Sequence, residues 1–133
     1  MVRNLILAGL VAAGSLQGAQ QAAPTYDAKF TGADGQVYTG TLTFAVDAKG
    51  AVSGKMKLVD PIEVLGTLAG TVKDGTWTFE YPYEIPQQGC TGIVKGTAKV
   101  PADQKVIEGK GVAGGGCAEQ PIDLTFTLTR QAK

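Results

Sequence analysis

Histidine, the usual general base near neutral pH and the commonest metal ligand, is absent from all 133 residues. A Ser/His/Asp relay goes with it. Beyond residue 22 the one serine is Ser53, in Val52-Ser53-Gly54-Lys55, a strand position with no partner for nucleophilic work. Two carboxylates are enough for a glycosidase, and Glu80 and Glu84 do share one side of a strand. Four residues of extended chain separate them by about 13 Å, beyond the roughly 6.5–9.5 Å of an inverting pair. Asp34-Gly35, Asp47 and Asp74-Gly75 are isolated turn residues, not an acidic calcium loop. The residue types therefore point away from an enzyme, a metal site and a bound cofactor.

Four aromatic residues carry more. Trp77, Phe79, Tyr81 and Tyr83 recur at every second position, which puts all four on one face of a strand. Such a stripe either fills a core or lines a small-molecule pocket, with a tyrosine hydroxyl as its polar handle. Pro82 has no N–H to give to a central ladder, which argues that Tyr81-Pro82-Tyr83 lies near an open end.

The two cysteines, Cys90 and Cys117, are too far apart in sequence for a redox CxxC motif. An even number in an exported chain reads as a disulfide. Export is expected because Met1-Val2-Arg3-Asn4 puts a positive charge before an apolar run, Leu5 to Leu16, followed by small residues up to Ala23. That pattern is a secretory signal peptide over 1–22, cut within 19–23. It leaves one domain over 24–130, in the periplasm or outside the cell. The apolar run is shorter than the ~20 residues that span a bilayer. Lys and Arg together number 12, as do Asp and Glu, scattered with no basic stripe. Nucleic acid is a poor partner for such a surface.

The elements that must position these residues are strands. After Pro24 no helical period occurs, and turn signals recur every eight to twelve residues. Eight strands are expected near 26–31, 36–46, 52–58, 63–73, 76–84, 90–100, 106–114 and 121–129. Three turns set registers. Asp47-Ala48-Lys49-Gly50 places Val46 opposite Val52, Phe44 opposite Gly54 and Leu42 opposite Met56. Asp74-Gly75 suits a type I′ turn and places Val72 opposite Trp77, Gly70 opposite Phe79, Leu68 opposite Tyr81 and Gly66 opposite Tyr83. A turn through 102–105 places Lys99 opposite Glu108 and, independently, Cys90 opposite Cys117.

These registers set aromatic rings against glycines: Phe44 with Gly54, Phe79 with Gly70, Tyr83 with Gly66. Glycines under rings let a sheet coil tightly. The fold class expected is an all-β, antiparallel up-and-down meander of about eight strands, with a closed barrel favoured over a two-sheet sandwich. Two functions follow. One is a non-enzymatic exported domain binding a small, partly apolar molecule at the aromatic end, near Trp77, Phe79, Tyr81 and Tyr83. The other is a structural or protein-interaction module of the envelope with a fully packed interior.

Overall fold

The computed structural model describes residues 23–132, and the expected leader over 1–22, with its cleavage region, lies outside them. Ten strands follow in order: β1 Thr25–Gly32, β2 Val37–Thr43, β3 Ala45–Val46, β4 Val52–Asp60 and β5 Val64–Leu68. Then come β6 Thr71–Lys73, β7 Thr76–Ile85, β8 Cys90–Lys99, β9 Val106–Gly115 and β10 Ile122–Arg130. They form eight staves, because β2 continues into β3 across Phe44 and β5 into β6 across Ala69-Gly70. All pairing is antiparallel between successive staves, and β10 pairs with β1 from Leu124↔Gly32 to Arg130↔Tyr26. The sheet therefore has no free edge, and the architecture is a closed eight-stave meander barrel rather than a sandwich.

Turn chemistry sets the registers. Gly50 has φ of 88° in the first hairpin, where Val46↔Val52 and Leu42↔Met56 pair. Asp74 and Gly75 have φ of 55° and 77°, the double positive value of a type I′ turn, and Val72↔Trp77 follows. Lys99↔Glu108 runs on to Gly92↔Gly115, which brings the Cα atoms of Cys90 and Cys117 to 5.1 Å in a disulfide. The 76–85 and 90–99 staves meet through a 3-10 turn, Pro86–Gln88, closed by left-handed Gly89. Their register, Ile85↔Cys90 to Thr76↔Lys99, depends on a turn with no short hairpin signature.

Two irregularities interrupt the ladders. At Gly70 (φ 122°) the chain turns aside, so that Val52 N–H donates to its carbonyl at 2.9 Å and Trp77 Nε1 donates to Ala69 O at 3.0 Å. At Pro82 the ladder between β5 and β7 lapses. Leu65↔Glu84 and Gly66↔Tyr83 pair, and pairing resumes only at Thr71↔Thr78. On its other side Pro82 pairs with Ile93 inside a ten-residue ladder. The proline thus marks a seam on one side while lying inside a ladder on the other, so it does not end the stave as its missing N–H suggested.

Rings do cover glycines, but not in the expected pairs. Phe79 lies over Gly96 and Gly111, Tyr83 over Gly92 and Phe126 over Gly109, each Cβ site lying 2.5–3.4 Å from the ring. Gly54 instead faces the Thr43 carbonyl and Leu68, Gly66 faces Met56 and Tyr81, and Gly70 faces the Trp77 indole nitrogen. The reason is that each stave has two neighbours. The hairpin turn fixes only one of them, and the rings lean onto the other or onto the diagonal.

The outer surface alternates with the core: Lys95, Thr97, Lys99, Glu108 and Lys110 are exposed, while Val94, Ala98, Ile107 and Ala113 are buried. Among the described residues no helix is long and apolar enough to cross a membrane. A transmembrane barrel presents an apolar band outward, unlike this lysine-bearing face.

Gly70→Ala would drive a methyl group toward the Thr78 carbonyl and Trp77 Nε1 at an unfavourable φ. We expect it to cost about 1–3 kcal/mol, read as a lowered urea midpoint. A midpoint equal to wild type would show that the corner tolerates a side chain. The disulfide spans 27 positions, and chain entropy assigns such a loop about 3.5 kcal/mol. Reduction should lower Tm by about 10 °C or more with the strand content retained; an unchanged Tm would show that the bridge carries no stability.

Candidate functional site

The meander gathers the turns at 33–36, 61–63, 86–89 and 116–121 at one end of the barrel. The turns at 47–51, 74–75 and 101–105 close the other. The two ends are filled differently. At the second end Tyr26, Phe44, Trp77, Ile107 and Leu128 are all at most 1 % exposed. Tyr26 and Phe44 meet edge to face at 6.1 Å, and Phe44 and Trp77 at 5.0 Å. The polar atoms of this plug are satisfied, since Tyr26 Oη donates to Gln104 O at 2.7 Å and Trp77 Nε1 to Ala69 O. This end is sealed.

Above the plug the rings continue through Phe79, Phe126 and Phe30, with 5.7 Å and 5.0 Å between successive centroids. Beyond them the interior opens into a cavity of about 180 Å3 at the mouth. Its wall is mainly apolar, with Phe30, Met56, Leu58, Val64, Val94 and Leu124 among the lining residues. Tyr81, Tyr83 and Tyr38 supply phenols, while Asp34, Ile62, Gln88 and Ala118 come from the rim turns. Cys117 also faces it, so the disulfide braces the mouth between the 86–89 and 116–121 turns.

The aromatic stripe is thus divided. Trp77 and Phe79 belong to the packed interior, at 1 % and 3 % exposure, and do not reach the cavity. Tyr81 and Tyr83 line it. Tyr83 is held in place by Gly92, whose missing side chain gives the ring its seat. The remaining wall comes from staves that the stripe says nothing about. Tyr38 reaches the interior because Phe30↔Tyr38 pair across the 33–36 turn, where Gly35 has φ of 87°. Asp34-Gly35 is the sequence signal for that register. Met56 and Leu124 follow from alternation on β4 and β10 once barrel closure is known.

Electrostatically the mouth is quiet. Burial pushes the Tyr81 phenol well above its ordinary value of 10.0, so it stays protonated. Among the described residues its hydroxyl reaches only Met56 Sδ, at 4.0 Å. Burial also raises Tyr83, and the neighbouring Tyr38 phenol adds to the effect. Asp34 is tied locally, accepting from Gln36 N–H at 2.9 Å. A cavity so lined can hold an apolar ring and offer it hydroxyl donors.

No protein-family model matches the chain, and no curated protein does. Solved structures do. A redesigned β barrel, b11L5F_LGL, superposes with a TM-score of 0.62 at 23% identity, over 83% of this chain and 91% of that one. EF1p2_mFAP2b bound to DFHBI gives 0.62 at 20% identity, over 85% and 96%. The redesigned barrel mFAP1 bound to DFHBI gives 0.59 at 21%, over 81% and 94%. At these identities the likeness is one of fold. It independently supports the closed barrel, and two of these neighbours hold a small molecule.

Tyr81 also makes a prediction about alkaline stability. Its folded-state pKa lies above the unfolded value, and Tyr26 and Tyr83 shift the same way. Their contribution is therefore intact below pH 10.0, the ordinary tyrosine value, and is lost as pH rises beyond it. Urea midpoints across this range should fall, with Tyr81→Phe reducing the slope. A slope unchanged by that substitution would mean that Tyr81 titrates like free tyrosine.

Proposed function

We propose that this protein is an exported, non-enzymatic binding barrel that takes a small, partly apolar molecule in its mouth. The observation that carries this reading is the contrast between the two ends: one sealed by an aromatic plug, the other left with about 180 Å3 of lined space. A structural module has no use for an unfilled interior, because close packing is worth several kcal/mol. The volume also sets a scale. A cavity of roughly 150 Å3 accommodates benzene, whereas drug-sized sites run to about 300–1,000 Å3. The mouth thus suits one substituted ring.

The binding of DFHBI by barrels of the same fold supports the use of such an interior for a flat molecule. The disulfide supports an oxidising location, where a bridge persists. The titratable side chains of the wall are tyrosines and one aspartate, which suits holding a ligand better than proton transfer near neutral pH.

Native mass spectrometry of protein recovered from the envelope or medium of its host tests this directly. The expected result is a chain shortened by its leader and carrying a small non-covalent adduct, lost on unfolding. Amide NMR with added single-ring aromatics should then move Ile62, Gln88 and Ala118 at the rim. A bare mass, with no rim shifts for any such compound, would overturn the binding reading; a full-length intracellular chain would overturn export.

A further inference from the structure

We propose that the mouth selects a neutral ring bearing a hydrogen-bond acceptor, such as an aryl ketone, and receives that acceptor on the Tyr81 hydroxyl. This deepens the binding reading and rests on it. Four buried aromatic side chains carry a polar hydrogen inside the barrel: Tyr26, Trp77, Tyr81 and Tyr83. Two are paired within the protein: Tyr26 Oη with Gln104 O at 2.7 Å, and Trp77 Nε1 with Ala69 O at 3.0 Å. Of the other two, Tyr83 is 8 % exposed and Tyr81 1 %, and among the described residues the Tyr81 hydroxyl has only the Met56 thioether, at 4.0 Å. A thioether sulfur is a weak acceptor. Buried hydroxyls ordinarily find a strong partner, and one without it loses the hydrogen bond that water would supply.

Both groups of this weak pair line the cavity. Met is unbranched and adaptable, so its sulfur can yield to a better acceptor. The charge of the wall narrows the class further. Among the described residues no cationic side chain lines the cavity, and the one charged residue there is the Asp34 carboxylate at the rim. An anionic ligand would meet no counter-charge there and would give up its hydration. A carbonyl oxygen needs only one donor, and burial keeps Tyr81 protonated to supply it.

The test uses the oxidised, leader-free chain with three probes of similar size: acetophenone, cumene and benzoate. Acetophenone should bind, and Tyr81→Phe should weaken it about tenfold, equivalent to about 1.4 kcal/mol. Cumene, which has no acceptor, should bind the two proteins within about twofold of each other. Benzoate should bind more weakly than acetophenone. The carbonyl stretch of bound acetophenone gives a second reading, independent of any variant: it should lie at lower wavenumber than in hexane. Equal losses for acetophenone and cumene, benzoate binding as tight as acetophenone, or an unshifted carbonyl would each overturn the proposal while leaving the mouth a binding site. If no probe binds at all, the binding reading fails with it.

Discussion

Closing eight staves around so few residues requires the sheet to coil more tightly than ordinary side chains allow. The interior must also be filled. Large rings set against glycine meet both needs. Phe79 over Gly96 and Gly111, Phe126 over Gly109 and Tyr83 over Gly92 fill the barrel with apolar volume. The backbone beneath them carries no Cβ to hold it off. At the level of Phe79 and Phe126 the barrel is solid, whereas Tyr83 on Gly92 stands in the wall of the mouth. Closure, the buried core and the position of the mouth all depend on this arrangement.

The rings are not spread evenly along the axis. Tyr26, Phe44 and Trp77 crowd the end where the chain enters and leaves the described barrel, and their polar atoms are answered by carbonyls there. Toward the disulfide the fillers become Met56, Val64, Val94, Ala113 and Leu124, smaller or more flexible groups. The space left at that end is a consequence of side-chain size, and the phenols of Tyr38, Tyr81 and Tyr83 are what make it chemically directional. A rigid base with an adaptable opening is a sound way to hold a small guest, because the ordering is already done before it arrives.

Much of the fold is legible in the sequence, and the reasons are local. Gly50, Asp74-Gly75 and the 101–105 turn each demand a backbone conformation that fixes a hairpin, and the expected strand ends agree with the structure to within two residues. The Cys90–Cys117 pairing follows from the last of these. What escapes is non-local. The register between β7 and β8 hangs on Pro86–Gln88 and left-handed Gly89, a turn without a simple signature. Hence Tyr83 and Phe79 fall on Gly92 and Gly96, while Tyr81 and the Trp77 indole are the rings that reach Gly66 and Gly70. The stripe from Trp77 to Tyr83 is visible as a face, but the level at which the plug ends is not. That level depends on residues from β1, β2, β4 and β10 meeting across the closed barrel.

Closure by β10 against β1 has a bearing on how the molecule comes into being. The first strand finds its second partner only when residues 124–130 have been made, so the most distant contacts in the chain are needed to finish the structure. Such high contact order makes folding slow compared with helical domains of this size. Until those residues are made, β1 lacks its second neighbour and the barrel stays open. The Cys90–Cys117 bridge, by contrast, belongs to a hairpin that needs no such distant contact, so it can form as soon as residues 90–117 have paired.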